Sequence, residues 1–104
     1  MAIRRVCTWQ ATITLPEESS NYTAIVVTLS QDGRNIINKR NGDTGLTVNT
    51  DDVVLNLTQE ETSQFEAGKT AQLQIRAYHD IYDAPGSRIW SVDVYDSLNK
   101  EVLP

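Results

Sequence analysis

Val53 to Arg76 reads VVLNLTQEETSQFEAGKTAQLQIR, and its pattern changes twice in 24 residues. Val53, Leu55 and Leu57 alternate with Val54 and Asn56, the period of a strand with one buried face. Thr58-Gln59-Glu60-Glu61 then matches the capping box, with Thr at the cap and Glu three residues on. The two glutamates also suit the positive end of a helical turn. Gly68 stops that turn, and Phe65 is the side chain placed to plug it into a core. Leu73, Ile75 and Ala77 next alternate with Gln72, Gln74 and Arg76. Strand, capped turn, glycine turn and strand together form a unit by which β-sandwich domains pass the chain from one sheet to the other.

Outward from this stretch the chain keeps strand period. Cys7, Trp9, Ala11, Ile13 and Leu15 alternate with Thr8, Gln10, Thr12 and Thr14 up to Pro16. Ile25, Val27 and Leu29 make a β-branched-rich strand, as a pleated, half-buried surface favours. Asp32-Gly33 is a hairpin signal, and Asn35 to Lys39 is the return strand. Asn41-Gly42-Asp43 turns the chain into Leu46-Thr47-Val48, and Asp51-Asp52 turns it again. Trp90, Val92 and Val94 form the last strand, after a connection running roughly from His79 to Arg88. About seven short strands, with one short helical turn near 58–66, predict an all-β sandwich or barrel. Its core is expected to hold Trp9, Ile13, Val27, Leu55, Phe65, Leu73, Ile75 and Val92, because period two puts them on inward parity.

A chain of 104 residues is a single domain, 1–104. With 39% hydrophobic and 22% charged residues, it can bury one core and does not read as disordered. The net charge of −5 serves solubility. Only Arg4-Arg5 and Lys39-Arg40 cluster basic charge, so no nucleic-acid partner is expected. No membrane association is expected either, since no stretch nears the roughly 20 apolar residues of a span. The N-terminus lacks the apolar run of a signal peptide. With one cysteine and no secretory signal, synthesis in a reducing cytoplasm is the expectation. The sequons at Asn21 and Asn56 are then coincidences.

Catalytic and cofactor signatures are sparse. His79 is the only histidine, so any nucleophile–base pair must use it. Cys7 sits on the apolar parity of the first strand and reads as a small buried thiol. One Cys and one His do not assemble a zinc site. Asp51, Asp52, Asp80 and Asp83 read as turn formers, since Asp bonds its own backbone there. The five glycines stand singly at turns, giving no phosphate cradle. Glu60 and Glu61 are adjacent and do not face each other on a helix. The reading is a non-enzyme with no cofactor and no metal.

The remaining candidates are aromatic. Tyr78 and Tyr95 fall on outward parity, and Ile81 and Tyr82 lie in the 79–88 connection. Tyr offers contact area at low entropic cost, and interface anchors favour it over charged residues. Tyr78, Ile81 and Tyr82 are therefore the expected partner-binding residues. The competing use of the same side chains is to join copies of the chain into a homo-oligomer.

The ordered set of features resembles a family. Ile3-Arg4-Arg5 is followed by Thr12-Ile13-Thr14-Leu15-Pro16, then Gln31-Asp32 before a hairpin. Leu57-Thr58-Gln59-Glu60-Glu61-Thr62 and Phe65 precede Gly68-Lys69. Gln72 to Ala77, then Val92 and Val94, and a close from Leu98 to Leu103 complete the set. In that order the chain resembles small proteins encoded in the tail or baseplate regions of bacteriophages of Gram-positive hosts, akin to the N-terminal domain of the phage upper baseplate protein. The resemblance implies an immunoglobulin-like antiparallel sandwich, a structural role in the virion, and other phage structural proteins as partners. The protein would be made in the bacterial host cytoplasm. It carries over no catalytic residue. The 79–88 connection departs from it in length and aromatic content. The alternative reading is a host-encoded immunoglobulin-like module binding carbohydrate or protein.

Overall fold

The computed structural model describes residues 2–15, 18–78 and 86–96. Among these, eight strands and one short α-helix follow one another: β1 Ala2–Arg4, β2 Trp9–Thr14, β3 Ala24–Gln31, β4 Arg34–Arg40, β5 Leu46–Val48, β6 Asp52–Leu57, α1 Gln59–Thr62, β7 Ala71–Tyr78 and β8 Gly86–Tyr95. A single 3₁₀ turn spans Ser19–Asn21. The strands form two sheets, a five-stranded one in the order β1-β8-β7-β3-β4 and a three-stranded one in the order β2-β6-β5.

The sheets share one core because each presents a face of alternating apolar residues. Ile13, Leu46, Val53, Leu55 and Leu57 come from the smaller sheet, and Ile3, Val27, Leu29, Leu73, Val92 and Val94 from the larger. Register keeps the alternation coherent: Ile25 lies opposite Ala77, Val27 opposite Ile75 and Leu29 opposite Leu73. A slip of one residue would turn that whole set to solvent. Phe65, only 1% exposed, enters the same core from the segment after α1. Ile13, Val27, Leu55, Leu73, Ile75 and Val92 are buried as their parity predicts. Trp9 is not: it is half-buried and packs on the core's margin, at the first residue of β2 and the end of the β2–β6 ladder.

Four features differ from the sequence reading. The larger sheet is mixed, because β1 runs parallel to β8, with Ile3 opposite Val94. Three residues carry too little alternation to announce a strand, yet Ile3 is fully buried. Cys7 lies before β2 in a bend and is half-buried. The chain reaches it through Val6, buried and with φ at +61°, an unusual conformation for a β-branched residue. Finally, β8 begins at Gly86, so 86–88 pair with β7 instead of belonging to the connection.

The β3–β4 hairpin follows its signal closely. Asp32 (φ +51°) and Gly33 (φ +76°) both take the left-handed region, as a two-residue turn of the favoured hand requires. A register shift sets Leu29 opposite Ile37 but Ser30 opposite Asn35, leaving Ile36 as an extra residue. This bulge lets the consecutive pair Ile36 and Ile37 both touch the core.

Candidate functional site

The capped turn is built as its sequence specifies. Thr58 Oγ1 accepts from the Glu61 N–H at 3.1 Å, and the Thr58 N–H donates to Glu61 Oε1 at 3.0 Å. Thr62, fully buried, donates through its hydroxyl to the Cys7 carbonyl at 2.8 Å. This ties α1 to the chain entering β2. The other carboxylate oxygen, Glu61 Oε2, meets Lys39 Nζ at 2.9 Å. Lys39 lies opposite Val27, on the inward parity of an edge strand, and its ammonium also donates to the Thr44 carbonyl at 2.6 Å. Gly45 (φ +94°) makes room for it: a Cβ there would stand 2.8 Å from Lys39 Nζ and from the Asn56 carbonyl oxygen.

A groove of about 900 Å³ opens beside this brace, lined among others by Trp9, Gln10, Lys39, Asn56, Thr58 and Glu61. Several of its polar groups are already engaged. Gln10 Nε2 donates to Asn56 Oδ1 at 3.0 Å. Burial works to raise the Glu61 pKa, but the Thr58 N–H and the Lys39 ammonium outweigh it and hold the carboxyl below its ordinary value. Lys39 and Glu61 thus form a clamp between α1 and the β4–β5 turn. An acid held ionised in this way is not poised for proton transfer near neutral pH. Among the described residues, no group of three or more His, Cys, Asp or Glu could hold a metal ion. His79 lies outside them.

Tyr78, the first of the three partner-binding candidates, ends β7. Its carbonyl accepts from the Thr23 N–H at 2.8 Å and from the Thr23 hydroxyl at 3.1 Å. The Arg76 guanidinium stands 5.2 Å from its ring centroid. The side chain is half-buried on the outer parity of the larger sheet. Ile81 and Tyr82 lie outside the described residues.

The same outer face carries a residue that sequence reasoning missed. Ile89 on β8 is 57% exposed, and Tyr95 at the strand's end is 50% exposed. They are the exposed large hydrophobic residues of the described chain. Trp90, Val92 and Val94 had placed β8 in phase, and that phase turns Ile89 outward. The Arg4 guanidinium lies 5.8 Å from the Tyr95 ring centroid and donates to the Asp96 carbonyl at 2.8 Å. Arg5 bonds Asp96 Oδ1 at 3.0 Å and the Ser63 carbonyl at 3.1 Å. The Arg4-Arg5 pair therefore fastens β1 to the end of β8.

Another element unforeseen in the sequence is Gln31, which is 2% exposed. Its Nε2 donates to the carbonyls of Glu66 (2.9 Å) and Lys69 (3.0 Å), and its Oε1 accepts from the Glu66 N–H at 2.7 Å. On the rim above it, Lys69 Nζ contacts Asp32 at 2.9 Å and Glu66 at 2.7 Å. The hydrogen bond and charge of Lys69 lower the pKa of the exposed Asp32 carboxyl. The Asp32 and Glu66 carboxylates in turn raise that of Lys69. Together these contacts join the β3–β4 hairpin to the loop leading into β7.

Comparison with known proteins returned no match: no family model, no curated protein and no solved structure is significantly similar to this chain.

Proposed function

We propose that this chain is a non-enzymatic structural or assembly protein of a bacteriophage tail or baseplate, working through protein–protein contacts on an immunoglobulin-like sandwich. The strand order supports the fold. In the immunoglobulin scheme strands B, E and D share one sheet and C, F and G the other, with an added C′ beside C in variable-type domains. β2-β6-β5 takes the B-E-D places and β8-β7-β3-β4 the G-F-C-C′ places. The antibody hallmarks are missing: β3 has no tryptophan, and a single cysteine makes no disulfide between sheets. The virion role rests on the ordered sequence features that resemble phage baseplate-region proteins. Several of these are the joints of the fold: Gln31, the Thr58 cap, Thr62 and Phe65.

The observation that carries a contact function is Ile89 with Tyr95 on the outer face of β8. Neither takes part in the core, and interface centres favour such side chains. The test is co-sedimentation. Tagged chain, produced in host cells during phage growth, should band with purified particles. Ile89→Lys combined with Tyr95→Lys should stay folded and leave the particle band. Absence of the wild-type chain from particles would refute the virion role, and full incorporation of the double variant would refute the surface.

One observation favours a second reading, a carbohydrate-binding module: Trp9 beside the paired amides of Gln10 and Asn56 in the groove. Tryptophan emission titrated with oligosaccharides in Trp9→Phe and wild-type protein decides it. Identical, flat titrations would remove it.

A further inference from the structure

We propose that the free edge of β2 pairs antiparallel with β2 of a second copy of this chain, joining two three-stranded sheets into one of six strands across a twofold axis at Thr12. The inference concerns the isolated chain and stands apart from the virion reading. Among the described residues the two sheets have four edge strands, β1, β4, β2 and β5. Natural edges are blunted by shortness, charge or bulges. β1 and β5 are three residues each. β4 carries Arg34, Lys39 and Arg40 and the bulge at Ile36. β2, Trp-Gln-Ala-Thr-Ile-Thr, has none of these. It pairs with β6 in unbroken register over six residues, and with no other described strand. In the immunoglobulin scheme the N-terminal strand covers this edge. Here β1 lies against β8 instead.

Backbone polarity shows which groups the edge offers. The Leu15 N–H donates to the Asp51 carbonyl at 2.9 Å, in line with the β2–β6 register. Hydrogen-bonded pairs alternate along an antiparallel ladder. Ile13, Ala11 and Trp9 therefore point their backbone groups at β6, while Gln10, Thr12 and Thr14 point theirs outward. An extended backbone is the partner that such a row fits.

Self-pairing is favoured by what falls opposite what. A twofold axis at Thr12 sets Thr12 against Thr12, Gln10 against Thr14 and Ala11 against Ile13. Each pair shares a face. Gln10, Thr12 and Thr14 are exposed and Ala11 and Ile13 buried, so polar residues meet on the outer face and apolar ones continue the core. Thr–Thr pairs are favourable across strands, and no like charges oppose. The same operation on β4 would bring cationic side chains together. A twofold contact is also the commonest closed symmetry for a homo-oligomer.

Oligomeric state decides the proposal. Sedimentation equilibrium of the full chain, over concentrations up to about 1 mM, should show monomer passing to dimer and no higher species. Thr12→Pro removes an outward N–H while leaving the β6 ladder intact, and an outward-facing edge-strand position is one where Pro is tolerated. Thr12→Lys opposes two charges at the axis. Each variant should weaken dimerisation at least about tenfold, with circular dichroism unchanged for Thr12→Lys. In a Cys7→Ser background, Thr12→Cys should cross-link two chains through residue 12. A wild-type chain that stays monomeric, or a dimer that persists undiminished in Thr12→Lys, overturns the proposal, even if the edge captures a strand of some other protein.

Discussion

Gln31→Leu should destabilise the fold sharply although the substitution makes the core more apolar. Gln31 continues the inward parity of Ile25, Val27 and Leu29 at the end of β3. Its amide makes three hydrogen bonds, all to backbone groups of Glu66 and Lys69. Leu fills similar volume and satisfies none of them. With a net worth near 1 kcal/mol per bond, and more where a buried group is left unpaired, the loss comes to about 2–4 kcal/mol. At about 4–8 °C per kcal/mol for a domain of this size, Tm should fall by at least roughly 8 °C. Gln31→Glu separates hydrogen bonding from shape. A carboxylate can still accept from the Glu66 N–H, but it faces two carbonyl oxygens in a buried site, so its folded pKa is pushed up. The folded state then holds the proton more tightly than the unfolded state, and stability falls as pH rises. The penalty relative to wild type should be small below the unfolded value of about 4.3, grow above it, and level off past the folded pKa. Urea midpoints from pH 4 to pH 8 measure this. A Gln31→Leu midpoint equal to wild type, or a Gln31→Glu penalty independent of pH, would refute the clasp.

Three further outcomes follow from the joints around α1 and its loop. Phe65→Ala should cost about 3–5 kcal/mol by thermal or urea melt, since it leaves a ring-sized void in the shared core. Thr58→Ala should cost about 1 kcal/mol and Thr58→Ser much less, because the serine hydroxyl still accepts from Glu61. At the same joint, Glu61 has a lowered folded pKa, so its contribution is present above the unfolded carboxylate range and lost as pH falls through the folded value. Glu61→Gln should therefore melt earlier than wild type near pH 7 and converge with it in acid.

Strand identity, the β3–β4 turn and the capped turn were legible in the sequence because each depends on residues close together in the chain. Alternation marks a face, Asp-Gly marks a left-handed turn, and Thr58 with Glu61 closes a capping box within four residues. The Ile89 surface was legible in principle through the phase of Trp90, Val92 and Val94. Phase shows which side a residue takes, though not whether anything covers that side. Other features depended on contacts remote in sequence. β1 is too short for its pattern to register, and its parallel place beside β8 is fixed by Ile3 in the core and Arg4-Arg5 at Asp96. Gln31 reads as one more polar residue before a turn, and its role exists only because the 66–69 loop arrives there. Lys39 reads as half of a basic pair, yet the edge position of β4 turns it inward to Glu61. Trp9 shows the reverse, an inward parity left half-exposed at the sheet's margin. Local sequence determined the elements and their faces, because backbone geometry and capping are short-range. Tertiary structure decided which edges are covered and which polar side chains become joints, because burial depends on what else folds against them.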